Sequence, residues 1–108
     1  MKNAEHQRFF RKLSPIVGKV FAQHKLSPAL AKRCLEEAAA YTNFGRFVLG
    51  NNYWGLRGKG NAGFYTINRV YRTSSTSRNG GYRPHTQAFA KFSSIEDGVK
   101  GWIRARVR

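Results

Sequence analysis

The stretch GRFVLGNNYWGLRG, running from Gly45 to Gly58, is the part of the chain from which everything else is placed. It opens and closes with glycine, holds two adjacent asparagines, and packs aromatic and large apolar residues between them. Glycine at both ends and amides in the middle read as tight turning backbone rather than helix or strand. The segment therefore divides the chain into a part that precedes a compact turn region and a part that follows it.

Upstream, residues 4–24 carry apolar positions at helical spacing. Phe9, Phe10, Leu13, Ile16, Val17, Val20 and Phe21 form one stripe, with Arg8, Arg11, Lys12 and Lys19 opposite. Ser14-Pro15 reads as a start for the second half of this region, since proline suits a first helical turn. LSPALAKRCLEEAAAYTNFG predicts a second helix, with Ser27 as cap, Pro28 at the first position and Gly45 just past its end. Its expected apolar face is Leu30, Ala31, Cys34, Leu35, Ala38 and Tyr41. Cys34 on that face reads as a small core residue rather than a nucleophile.

Downstream, GFYTINRVYRT and YRPHTQAFAKF are rich in β-branched and aromatic residues, and SSTSRNGG between them has turn chemistry. The pattern predicts an irregular β-hairpin. Ser94 then caps a last helix, with Asp97 three residues on reaching back to complete a capping box. Val99, Trp102, Ile103 and Val107 form its apolar side. No repeat, linker or low-complexity run divides residues 1–108, so the expectation is one α+β domain, mainly α, with a small hairpin.

The chain has 108 residues with 41% hydrophobic and 14% aromatic content, which excludes a disordered polymer. Twenty Lys and Arg stand against five Asp and Glu, a formal charge of +15. Such a field attracts polyanions, whether nucleic acid, acidic wall polymer or an anionic surface. One cysteine excludes an internal disulfide. The N-terminus is too polar for a secretory signal and no run is long enough to span a membrane. A monomer that stays cytoplasmic until it is released or delivered to the cell wall is the expectation. His6, His24 and His85 are dispersed without metal-ligand spacing, so neither a metal nor another cofactor is expected.

The order of two helices, GRFVLGNNYWGLRG, a small β-region and FAKFSSIEDGVKGWIRARV resembles the glucosaminidase domains of bacterial autolysins and flagellar peptidoglycan hydrolases. In that family a Glu-Ser-Gly-Trp-Gly type motif ends a helix, and an Asn-Leu-Phe-Gly-Ile-Lys type motif follows. A Phe-Arg-x-Phe-x-Ser type segment leads into a later helix. Asn52-Tyr53-Trp54-Gly55-Leu56-Arg57 matches the second motif and Phe89-Ala90-Lys91-Phe92-Ser93-Ser94 the third. QRFFRKLSPIVGKVFAQHKLSP is similar to the family's first helix, so the likeness covers nearly the whole chain. It implies a lysozyme-like fold and an activity directed at peptidoglycan or a related amino-sugar polymer.

The first motif departs from the pattern. Read back from Gly45 without gaps, Phe44 takes the family's tryptophan, Asn43 its glycine, Thr42 its serine and Tyr41 its catalytic glutamate. Read forward from Pro28, the position falls near Ala38, within two residues of Glu36 and Glu37. The registers differ by three residues, about one helical turn. A glycosidic bond is broken by a carboxylic acid still protonated near neutral pH, which burial achieves by raising a glutamate to about 6. Tyrosine, at about 10, is far too weak an acid for that role.

From Ala38 to Ile95 there is not one Asp or Glu, and Asn68 stands near where a second acid is expected. Glu36 and Glu37 are the catalytic candidates; Glu37 lies at the edge of the apolar face and Glu36 points away from it. Lys32–Glu36 and Arg33–Glu37 are also ordinary i,i+4 pairs. Phe44, Asn51, Asn52, Tyr53, Trp54 and Tyr65 are the candidates for binding glycan, with Gly58–Gly63 as a flexible rim. Asn52 and Trp54 serve equally well to tie down and fill the turn. Three functions stay open. They are a glycan-binding domain with weak or lost hydrolysis, an active glucosaminidase or muramidase using Glu37 or Glu36, and a nucleic-acid or polyanion binder on the same scaffold.

Overall fold

A computed structural model of the chain describes residues 2–72 and 82–107. These form α1 (Lys2–Gln23), α2 (Pro28–Thr42), β1 (Phe64–Arg72), β2 (Tyr82–Ala90) and α3 (Ile95–Arg106), an α+β architecture that is mainly α. The connection at 73–81, where turn chemistry was expected, lies outside the described residues.

In α1, Leu13, Val17 and Val20 are fully buried and Phe9 and Phe21 nearly so, following the 3.6-residue period. The helix does not restart at Pro15 but runs straight through it. Proline has no N–H to return to the Arg11 carbonyl, a local loss. Burial of Leu13 and Val17 on either side holds the helix together, each such side chain contributing about 1.5–3 kcal/mol.

Ser27 caps α2, its hydroxyl accepting from the Leu30 N–H at 3.3 Å, with Pro28 behind it. The helix stops two residues earlier than Gly45 implies. Asn43 takes the left-handed cap conformation (φ 51°) and Phe44 follows it at φ 59°. Thr42 makes the stop by side chain. Its hydroxyl donates to the Ala38 carbonyl at 2.7 Å and accepts from the Gly45 N–H at 2.8 Å. The buried face is Cys34, Ala38, Ala39 and Thr42, whereas Tyr41 is 44% exposed.

β1 and β2 pair antiparallel from Phe64↔Ala90 to Arg72↔Tyr82. The turn segment is stitched to β2, with the Ala90 N–H donating to the Leu56 carbonyl at 2.8 Å and the Gly58 N–H to Ala88 at 3.2 Å. The glycines at 58–63 are pinned, not free. Gly60 and Gly63 exchange hydrogen bonds at 2.8 and 3.1 Å, and the Asn61 side chain holds Ser93 by two more.

α1 packs against both α2 and α3. Trp102 of α3 is wholly buried at the centre beside Phe21, ring centroids 5.8 Å apart. Gly98 and Gly101 bring the turn segment onto α3. A methyl group at Gly98 would strike the Asn51 carbonyl, and one at Gly101 would strike the Phe92 ring. Ser94 caps α3 by accepting from the Asp97 N–H at 3.1 Å. The Asp97 carboxylate reaches back to the hydroxyls of Ser93 and Ser94, at 2.7 and 3.0 Å, not to a backbone N–H.

Candidate functional site

The turn segment is held by Asn52, whose side chain is buried and fully used. Its amide nitrogen donates to the carbonyls of Leu56 and Ala90, at 2.8 and 3.0 Å. Its oxygen accepts from the N–H groups of Leu56 and Trp54, at 3.0 and 3.3 Å. Two donors and two acceptors exhaust an amide. Asn51 donates to the Phe92 carbonyl at 2.9 Å from a left-handed backbone at φ 54°. Trp54 is buried beneath, its indole N–H donating to the Cys34 carbonyl at 2.9 Å.

Phe44 and Tyr53 turn toward α1. Phe44 stacks on His6 with centroids 3.5 Å apart and meets Phe9 edge-on; Tyr53 is buried beside Phe9. Both line a shallow depression on that side of the molecule with Arg8 and Lys12.

Tyr41 and Tyr65 come together elsewhere. They face a cleft of about 470 Å³ between the end of α2, the 46–49 loop and β1, whose other walls include Arg46, Phe47, Leu49 and Ile67. The Tyr41 ring rests on the α-carbon of Gly55, where any side chain would overlap it. Tyr65 stacks on Phe89 at 5.6 Å between centroids. Burial, and then the neighbouring Tyr41, push the Tyr65 phenol above its ordinary range, so it stays protonated. Phe47 and Leu49 are 71% and 57% exposed, giving the cleft an apolar rim.

Among the described residues no carboxylate lines this cleft. Glu37 faces α3, accepting from the Trp102 indole N–H at 2.9 Å and from the Arg106 guanidinium at 2.8 and 3.2 Å. Glu36 is exposed on the outer face of α2. Neither i,i+4 pair forms among the described residues; Glu37 takes Arg106 in place of Arg33. Glu5 is held by Arg46 at 2.7 Å, Glu96 faces Lys19 at 3.8 Å, and Asp97 is committed to its cap. Asn68 accepts from the Thr86 hydroxyl across the sheet at 2.7 Å. No cluster of His, Cys, Asp and Glu suited to a metal occurs among the described residues.

Phe47, Leu49, Arg46 and Ile67 are absent from the sequence-derived site. Strand alternation was a usable signal for Ile67, because it puts residues 65 and 67 on one face. No periodicity points to the loop residues.

No family model and no curated protein matches the chain. Its fold is similar to the crystal structure of the catalytic domain of the autolysin Auto from Listeria monocytogenes, with a TM-score of 0.70 at 23% identity. That match covers 93% of this chain and 55% of the other. It is also similar to an N-acetylmuramoyl-L-alanine amidase from Staphylococcus aureus, with a TM-score of 0.64 at 15% identity, covering 91% of this chain and 27% of that one. The chain thus spans about half the length of the first and about a quarter of the second.

Proposed function

We propose that the chain recognises peptidoglycan, or a related amino-sugar glycan, in the Tyr41–Tyr65 cleft and hydrolyses it weakly or not at all. The observation that carries the reading is the occupant of the cleft at the end of α2. A phenol stands there, and the described walls hold no carboxylate. A fold similar to an autolysin catalytic domain and an N-acetylmuramoyl-L-alanine amidase supports the substrate class.

The chemistry of the walls suits a sugar more than its cleavage. Aromatic faces at Tyr41, Tyr65 and exposed Phe47 offer stacking surface for pyranose rings, and the phenol hydroxyls can bond to sugar hydroxyls. Cleavage needs an acid held protonated by burial without a cationic partner. Glu37, the better-placed acid on α2, is bound to Arg106 and Trp102 on the α3 side instead and does not line the cleft.

The test is sedimentation with purified insoluble peptidoglycan, combined with an assay for newly released reducing ends. Retention that falls sharply in Tyr41→Ala, with little or no release by the natural chain, is the expected outcome. Brisk release that disappears in Glu37→Gln would overturn the non-hydrolytic part and restore an active glucosaminidase. Absence of retention would overturn the glycan reading itself.

A further inference from the structure

A second concavity, about 520 Å³, lies between residues 55–59 of the turn segment and the last turn of α3. It borders the cleft at Gly55, against which the Tyr41 ring rests. Arg57 and Lys59 from the turn segment and Arg104 and Arg106 from α3 all line it, together with Leu56 and Phe92. Arg106 is paired with Glu37. Arg57, Lys59 and Arg104 have no ion-pair partner among the described residues.

The helix explains only half of this arrangement. Cations in the final turn of α3 complement its dipole, which accounts for Arg104 and Arg106. It gives no reason for two further cations lining the same concavity from a separate segment. Like charges gathered around a concavity repel, and an anion seated between them relieves that repulsion. Guanidinium forks suit the oxygens of a phosphate in particular.

We infer that this groove binds a phosphodiester-linked polyol chain, one phosphate seated between Arg57 and Arg104 and the neighbouring one near Lys59. The lining favours a polyol over a single-stranded nucleic acid. Single-stranded nucleic acid is held by cations together with exposed aromatic platforms for its bases. Here Leu56 and Phe92 are buried, and no exposed aromatic side chain lines the groove among the described residues. The site stands independently of what the Tyr41 cleft binds.

The experiment is calorimetric titration of the whole chain with a synthetic glycerol-phosphate hexamer at several salt concentrations, beside an oligothymidylate of equal charge. Arg57→Gln/Arg104→Gln should weaken hexamer binding roughly tenfold or more and flatten its salt dependence by about one unit of slope. Lys32→Gln/Arg33→Gln, the same charge removed from the exposed side of α2, should change both little. Amide shifts of the natural chain on titration should centre on Leu56, Arg57 and Ala105, a readout that requires no variant. Equal weakening by the two double substitutions would reduce the effect to net charge and overturn the site. Oligothymidylate binding as tightly, with the same loss in Arg57→Gln/Arg104→Gln, would overturn the polyol assignment in favour of nucleic acid.

Discussion

The ring of Tyr41 fills the space that a side chain on Gly55 would need, and the φ of 62° at Gly55 already disfavours one. This contact joins the end of α2 to the turn segment and fixes the phenol at the head of the cleft. It places one aromatic side chain where the proposed glycan cleft and fold stability meet.

Gly55→Ala should therefore destabilise the chain by about 2–4 kcal/mol, from overpacking and positive φ together. In a Tyr41→Ala background the overlap is gone and only the backbone cost remains, about 1 kcal/mol. A double-mutant cycle by chemical denaturation should show that coupling. Additive losses would mean that the two residues do not touch.

Glu37 should behave as a structural carboxylate. Glu37→Ala leaves the Trp102 indole N–H and Arg106 without their acceptor and should cost about 1–3 kcal/mol. Glu37→Gln, which keeps an oxygen for the indole, should cost less. Glycan retention should be unaltered in both, measured by the same sedimentation assay.

Replacing Asn52 should be among the most damaging single changes. Asn52→Ala leaves the buried N–H groups of Trp54 and Leu56 without their acceptor. It also takes a donor from the carbonyls of Ala90 and Leu56, the latter keeping the Ala90 N–H, and about 3 kcal/mol or more is expected. Thermal unfolding read by circular dichroism checks it.

Cys34 is fully buried, and desolvation pushes its thiol up to about 12. The reactive thiolate is thus nearly absent at neutral pH. A thiol reagent such as a disulfide chromophore should label the folded chain only at the rate of unfolding and react at once in denaturant. Rapid labelling of the native chain would contradict the burial.

Two carboxylates should make the fold acid-sensitive. Bonds from Ser93, Asn61 and Ser94 hold Asp97 below its usual range, and the Arg46 hydrogen bond does the same for Glu5. A depressed folded pKa means stability that is present above the unfolded value and lost as pH falls through the folded one. The denaturation midpoint should decline from about pH 4 downward, and less steeply in Asp97→Asn.

Much of the fold was legible because local rules govern it. The stripe from Phe9 to Phe21, the cap at Ser27 and the cap at Ser94 all report interactions within a few residues. The site was less legible. Apolar periodicity suggested that Tyr41 belonged to the buried face of α2, but Gly55 lets its ring slide over the turn segment and out to the cleft. Asn52 carried equal weight as ligand or brace in the sequence, and its four backbone partners, two of them on Leu56, show how fully its amide is engaged.

The sequence by itself determined the helices, the hairpin and the absence of any acid from Ala38 to Ile95, since spacing, capping and composition are properties of the chain alone. Tertiary structure decided which way the remaining acid turns and which cations share a groove. Glu37 meets Arg106 across 69 residues of sequence, and Arg57 and Arg104 come from separate segments to line one groove. Periodicity tells which side of a helix is buried; only packing against another element tells what that side touches.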